Sequence, residues 1–327
     1  MFKVKITGTG SYLPEKVLTN FDLEKMMDTS DEWIRTRTGI KERHIAADDE
    51  ATSDMVAKAA ERALDMAGIS PKDLDLIMVA TITPDNAFPA TGCWVQKHLG
   101  IDTEIPAFDI GAACSGYLYG LIVTAGMIEA GVVDRVLLCG AETLTKITNW
   151  NDRSTCILFG DGASCTVVER SDGDSAILSH FWGADGKLGN LLIQPAGGSR
   201  MPASHKTVDE NLHTVTMEGN DVYRYAVSKM KESAVEALKR ANLTGDDVDL
   251  YIPHQANIRI IEATIKRAGI PMEKTSVTID HIANISAATV PISLDEAVRE
   301  DRLKRGDILL LTVFGGGFTW GGAVLRW

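Results

Sequence analysis

Three residues of this 327-residue chain have side chains and settings suited to nucleophilic chemistry: Cys114, His254 and Asn284. Cys114 lies in PAFDIGAACSGYLYGLIVTAGMI, where an apolar strand ends in small residues and a helical pattern of Leu118, Ile122 and Ala125 begins at once. That spacing predicts a strand-turn-helix elbow. A helix N-terminus carries unpaired N–H groups and a partial positive charge, which favour a thiolate over a thiol. Cys114 is therefore expected to be a thiolate nucleophile, with Gly111, Ala112, Ala113 and Gly116 leaving room for a substrate carbonyl. Cys93, Cys139, Cys156 and Cys165 lack this setting and are expected to be structural.

His254 follows the apolar run Leu250-Tyr251-Ile252 and Pro253, ahead of a second helical pattern. The C-terminal ends of strands are where α/β proteins place their chemistry. Asn284, in DHIANISAATVPISLDEAV, precedes another small-residue turn and helix, where its local reading is an N-cap. The ending VFGGGFTWGGAVLRW sets glycines between two apolar strands, so bare backbone can approach a ligand and offer N–H groups to an oxyanion. It lacks the Lys-Ser/Thr of a phosphate loop, and the early GTGSYLP lacks the third glycine of a dinucleotide fingerprint.

The elements that must position these residues are written twice. Residues 54–80, DMVAKAAERALDMAGISPKDLDLIMVA, align with residues 228–254, SKMKESAVEALKRANLTGDDVDLYIPH, at a shift of 174. Each copy reads as amphipathic helix, short turn, buried strand. Farther on, Ile122, Ala125 and Val136-Leu137-Leu138 align with Leu294, Ala297 and Ile308-Leu309-Leu310 at a shift of 172. Helices alternating with fully apolar strands predict two similar α/β halves, 1–170 and 171–327, each with a mainly parallel sheet. Under these shifts His254 falls on Ala80, Cys114 on Ser286 and Asn284 on Ala112, so the reactive residues have no twin. Packing of the halves about a pseudo-twofold axis would bring the three together.

Bulk properties narrow the function. The net charge of -12 argues against a general nucleic-acid binder, and no apolar run reaches the roughly eighteen residues of a membrane span. The start lacks a signal-peptide pattern, and five widely spaced cysteines fit reduced thiols, so a cytoplasmic location is expected. No cluster has the spacing of a metal site, which disfavours a metal hydrolase.

The motifs GTGSYLPE (8–15), TSDEWIRTRTGIKERHI (29–45), AFPA (87–90), ILFGDGA (157–163), PHQANIRII (253–261) and FGGGFTWG (314–321) together resemble the beta-ketoacyl-acyl-carrier-protein synthase III family. The resemblance implies a thiolase-like fold in α-β-α-β-α layers and an enzyme that initiates fatty-acid synthesis. It implies a Cys114-His254-Asn284 triad and an oxyanion hole from the N–H groups of Cys114 and Gly316. Trp33, Arg37, Arg153 and Asn257 match coenzyme A contacts, and Phe88 matches a residue that enters the acyl tunnel across a homodimer interface. Gln255, Arg259, Lys266 and Arg267 are expected to meet the acidic carrier protein. The implied substrates are acyl-CoA and malonyl-carrier protein, with no cofactor and no metal. Ser115 stands where the family commonly has Ala, and Ala283 and Ile285 stand where it has Gly and Thr. The rivals are a related condensing or acyl-transfer enzyme of secondary metabolism and a non-catalytic CoA-binding scaffold, which would have lost the triad.

Overall fold

The structure, a computed structural model, describes residues 2–327. Two sheets form its frame. The first contains β1 (Val4–Tyr12), β2 (Leu76–Ala80), β3 (Ala107–Ile110), β4 (Arg135–Thr143) and β5 (Asp161–Arg170), in the order β1-β5-β4-β2-β3. The second contains β6 (Ala176–Ala184), β7 (Leu250–Pro253), β8 (Ile308–Gly315) and β9 (Thr319–Arg326), in the order β7-β8-β9-β6. Reading β6, β9, β8 and β7 against β1, β5, β4 and β2 superimposes the two orders.

Six helices are used below: α1 (Asp31–Thr38), α2 (Thr52–Ala67), α3 (Gly116–Glu129), α4 (Gly219–Ala241), α5 (Ile258–Ala268) and α6 (Thr289–Arg299). Helix α2 buries Met55, Val56, Ala59, Ala60, Ala63 and Leu64, the stripe expected from its helical spacing, against the outer face of the first sheet. Helices α4 and α5 cover the outer face of the second sheet through Ala234, Ala237, Leu238, Ile261 and Ile265. Helices α3 and α6 lie between the sheets, sharing one core with Leu76, Met78, Val136 and Leu138 on one side and Leu250, Ile252, Leu309 and Leu311 on the other. A helix in that middle layer touches a core on both flanks, which is why α3 buries Leu118, Leu121, Ile122, Ala125 and Ile128 with little polar relief. The five layers are those of the expected thiolase-like α-β-α-β-α fold.

Two expectations are corrected. The sheets are mixed rather than mainly parallel: β2 runs parallel to β3 and β4, and β7 to β8, but β1, β5, β6 and β9 all join antiparallel. A strand buried on both faces is apolar throughout whichever way its neighbour runs, so composition could not separate the cases.

The second correction concerns the downstream repeat, whose shift is 173 and not 172. The one-turn segments Ala113–Ser115 and Ser286–Ala288 correspond, as do the starts of α3 and α6. Their lead residues share a rare backbone, with φ at 46° for Ala113 and 45° for Ser286. Strand faces agree, since Val136 and Leu138 share the middle core with Leu309 and Leu311, not with Ile308 and Leu310. A slip of one residue turns every side chain of a strand to the other face. The counterpart of Cys114 is thus Ala287, and that of Asn284 is Gly111.

Candidate active site

Cys114 occupies the turn Ala113–Ser115 between β3 and α3. The turn is held from the second half of the chain: Thr319 Oγ1 lies 3.0 Å from Ser115 Oγ and 3.2 Å from both Ala112 O and Gly316 O. Ser115 is therefore an anchor of the turn. The end of β8 packs so closely that a Cβ added at Gly315 would lie 2.7 Å from Cys114 N and 3.0 Å from its Cβ. Gly315→Ala should displace the thiol and lower kcat/KM by about 10²-fold, as misplacement of a reacting group by an ångström does. Steady-state kinetics paired with a melting curve would check this, the melt separating misplacement from unfolding.

The thiol is partly open to a cavity of about 390 Å³ lined by Cys114, His254, Asn284, Asn257 and Gly316 with an apolar wall that includes Ile82, Leu144 and Phe159. Burial pushes it up to about 12, with Glu142 adding to the rise and the Ser286 hydroxyl opposing it. Burial thus works against the expected thiolate, and helix α3 begins only at Gly116, two residues beyond the sulfur's own. Attack by this sulfur needs a proton acceptor.

His254 follows β7 directly, its N–H donating to Thr312 O at 2.8 Å. The side chain is 1% exposed, and burial lowers it to about 3, so the ring is neutral. Nδ1 lies 2.6 Å from Thr289 Oγ1. The Ser286 carbonyl is the hydroxyl's other acceptor, at 3.0 Å, and already accepts the Thr289 N–H. The hydroxyl has one hydrogen to share between these two contacts, so Thr289 sets which ring nitrogen of His254 is protonated, while Nε2 is left facing the cavity.

Asn284 is held by its backbone, which donates to Leu158 O at 3.0 Å and accepts from Gly160 N at 3.1 Å. Its Oδ1 accepts the Ser286 N–H at 2.9 Å, so the amide Nδ2–H₂ is left to donate. The expected N-cap proves to be this two-residue turn ahead of a one-turn segment, with α6 starting only at Thr289. Ala283 takes φ 62° and ψ -161°, a region that favours glycine, as expected of a position where the resemblance placed one. His254 and Asn284 thus present a neutral imidazole and an amide donor beside the thiol. Such a set can stabilise an oxygen anion without a metal.

A family model described as "3-Oxoacyl-[acyl-carrier-protein (ACP)] synthase III" matches residues 108–186, and its C-terminal counterpart matches 238–327. A beta-ketoacyl-[acyl-carrier-protein] synthase III of Caldanaerobacter subterraneus is 55% identical over 322 residues, 98% of this chain and 97% of that protein. The chain belongs to the synthase III family. The crystal structure of 3-oxoacyl-[acyl-carrier-protein] synthase III from Aquifex aeolicus VF5 matches with a TM-score of 0.91 and 47% identity, covering 99% of this chain and all of that one. The priming beta-ketosynthase of the R1128 polyketide pathway matches at 0.90 and 34%, covering 98% of this chain and 96% of that one. Membership of the synthase III family makes the protein a condensing acyltransferase.

Around this synthase III centre lie the other residues singled out in the sequence. The guanidinium groups of Arg37 and Arg153 stand 4.5 and 4.6 Å from the Trp33 ring centroid, and Arg153 also donates to Asp28 O at 2.7 Å. Trp33 packs in one cluster with Ile258 of α5, beside the cavity-lining Asn257. Asn257 caps α5 through its Oδ1, which leaves its amide hydrogens free. Arg259, Lys266 and Arg267 are exposed on α5. Gln255 is corrected as a carrier contact: it is fully buried, donating to Pro253 O and Ser276 O and accepting from the Thr278 and Ile279 N–H groups. Phe88 is 86% exposed and does not line the cavity of its own chain. Sequence reasoning missed Glu142, Ser286 and Thr289. The one signal for the first was a carboxylate in the otherwise apolar run VLLCGAE.

Proposed function

We propose that the protein loads an acyl group from acyl-CoA onto Cys114 and condenses it with malonyl-acyl-carrier protein, giving a 3-ketoacyl product that begins a fatty acid. The observation that carries this reading is the convergence of Cys114, His254 and Asn284 on one cavity with an apolar wall. In the first half-reaction the sulfur attacks the thioester carbonyl, with the N–H groups of Cys114 and Gly316 as donors to the oxyanion, and coenzyme A leaves. In the second, malonyl-carrier protein loses carbon dioxide and the enolate accepts from His254 Nε2–H and Asn284 Nδ2–H. Its carbon then attacks the Cys114 thioester. These steps draw on the chain's own groups alone and call for no cofactor or metal.

Trp33, Arg37 and Arg153 suit the adenine and phosphates of coenzyme A, since guanidinium groups pair with phosphate and stack on rings. The exposed Phe88 supports a homodimer in which it reaches the partner's tunnel, and we place the enzyme in the cytoplasm. Incubation with a panel of acyl-CoAs and mass spectrometry of the Cys114 peptide tests the reading; no acyl mass on that peptide would defeat it. A preference for a polyketide starter over short fatty acyl groups would favour the secondary-metabolism alternative.

The carrier protein of this reading is acidic, and Arg259, Lys266 and Arg267 share one side of α5. Charge reversal in Arg259→Glu should raise KM for the carrier substrate by about tenfold, one charge contact being worth on the order of 1.4 kcal/mol, and leave acylation by acyl-CoA nearly intact. Equal loss in both half-reactions would count against docking there.

A further inference from the structure

The apolar wall of the cavity is held in two different ways. Leu144, Phe159 and Val215 are buried together in one hydrophobic cluster, so packing fixes them. Ile82 lines the same cavity but is 40% exposed and belongs to none of the hydrophobic clusters among the described residues. It sits in a bend outside any helix or strand, two residues beyond the end of β2 at Ala80. That strand end packs on the start of α3, where a Cβ on Gly116 would lie 3.1 Å from the Ala80 Cβ. The place of Ile82 beside the Cys114 turn is therefore set by the backbone of its own bend.

What grips that bend is Glu142, at the end of β4. Its side chain has no exposed surface, and its carboxylate accepts from Ile82 N at 3.1 Å, Thr83 N at 3.1 Å, Thr83 Oγ1 at 2.6 Å and Thr81 Oγ1 at 3.2 Å. Thr81 and Thr83 are buried, so the residues on both sides of Ile82 are anchored while Ile82 itself is turned out to the cavity. Thr83 is fixed further by Thr52 Oγ1, which donates to its carbonyl at 2.6 Å, and by the Thr143 N–H, which its hydroxyl accepts at 2.9 Å. All four groups facing the carboxylate act as donors, a set that only an acceptor-only side chain satisfies. Bonds to an ionised acceptor are about twice as strong as neutral ones, which makes the bend stiff where a free loop would yield.

We propose that Glu142 is a positioning residue for acyl selectivity: by clamping the bend Thr81–Thr83 it holds Ile82 rigid in the cavity wall and so limits the size of the acyl group that Cys114 accepts. The inference rests on the acylation reading above. An apolar pocket rejects an extra methylene only when its wall does not retreat. Ile82 lacks the packing that holds the rest of the wall, and the clamp supplies the stiffness instead.

Glutamine in place of Glu142 keeps the shape but spoils the clamp. The carboxylate meets Ile82 N with both oxygens, at 3.1 and 3.3 Å, so an amide would set its own N–H groups against that donor or against those of Thr83. Valine in place of Thr83 removes the 2.6 Å bond and leaves the carboxylate intact, whereas serine keeps the hydroxyl.

Acyl loading of the full chain, followed as acyl mass on the Cys114 peptide with straight-chain acyl-CoAs of increasing length, tests the clamp. The readout is the ratio of kcat/KM for a long acyl-CoA that the unaltered enzyme loads poorly to that for its best one. Ile82→Ala should raise this ratio by about tenfold, the low end of what one methylene decides in an apolar pocket. Glu142→Gln and Thr83→Val should raise it by a similar factor, and Thr83→Ser should return it toward the unaltered value. Because Glu142 acts through Ile82, adding Glu142→Gln to Ile82→Ala should change the ratio by less than about twofold. Effects that multiply in the double variant, an Ile82→Ala variant with the ratio unchanged, or a Glu142→Gln variant that slows every acyl-CoA equally would each overturn the inference. So would an unaltered enzyme that loads all lengths alike. Should Glu142→Gln fail to fold, as judged by its melting curve, the Thr83 pair decides by the same ratio. Failure of the unaltered enzyme to gain any acyl mass on Cys114 would instead overturn the acylation reading, and the clamp's role with it.

Discussion

Replacing Cys114 with alanine is expected to lower overall condensation by at least about 10⁴-fold, the scale seen when a covalent nucleophile is removed. The acyl group then has no sulfur to occupy, and the carrier-bound enolate has no thioester to attack. Stability should change little, because the substitution deletes a single sulfur atom that already faces a cavity. A melting temperature within a few degrees of the unaltered protein, equivalent to about 1 kcal/mol or less, would exclude unfolding as the cause. The decisive measurement is the peptide-level acyl mass after incubation with acyl-CoA. Cys93 is exposed and will react with alkylating reagents in either protein, so whole-protein thiol counts would mislead. An acyl mass retained by Cys114→Ala would move the nucleophile elsewhere and undo the mechanism. Serine is expected to rescue little, since a hydroxyl in the setting that already pushes the thiol up to about 12 would be harder still to ionise.

The residues that the sequence brought forward were those whose surroundings are local. Cys114, His254 and Asn284 each follow a strand or precede a helix within a few positions, and the periodicity of those elements is written in adjacent residues. The layered fold was legible for the same reason, through two helix-strand pairs repeated along the chain. What could not be read depended on packing between segments far apart. The parallel or antiparallel course of β5 and β9 leaves no mark on strands buried on both faces. The one-residue error in the repeat came from aligning helix residues whose neighbours on the same apolar side fit equally well, whereas strand faces and the matched φ of Ala113 and Ser286 admit one register. Gln255 belongs to a polar run beside basic residues, and only its four internal bonds show that it braces the segment 276–279. Glu142 acquires its setting from residues 81–83, distant in sequence, and its one local sign is a carboxylate at the end of an apolar run.

Removal of the donors at His254 and Asn284 should divide the two half-reactions. His254→Ala and Asn284→Ala are each expected to slow decarboxylation of malonyl-carrier protein by about 10²–10³-fold, the loss associated with one preorganised donor to a developing oxyanion. Because both donors serve one oxygen, the double variant should fall well short of the product of the single effects. Acylation of Cys114 should suffer much less than decarboxylation, as the oxyanion of that step accepts from the Cys114 and Gly316 N–H groups instead. Carbon dioxide release and acyl loading, measured separately, would test this; an equal loss in both would make His254 a base rather than a donor. The pH dependence provides an independent check. His254 is held neutral from an ordinary value of 6.5 down to about 3, so its protonation should cause no change in decarboxylation between pH 5.5 and 7. The same shift works against stability in acid: below about 6.5 the unfolded chain takes up a proton that the folded ring refuses until about 3. His254→Ala should therefore weaken the acid sensitivity of the fold over that window. Thr289→Val removes the hydroxyl in contact with Nδ1, and with it the one partner that fixes which ring nitrogen carries the hydrogen. It should lower kcat for decarboxylation by about tenfold with KM little changed, and Thr289→Ser, which keeps the hydroxyl, should recover most of the loss. A valine variant as fast as the unaltered enzyme would show that the ring keeps its donor at Nε2 without help from Thr289.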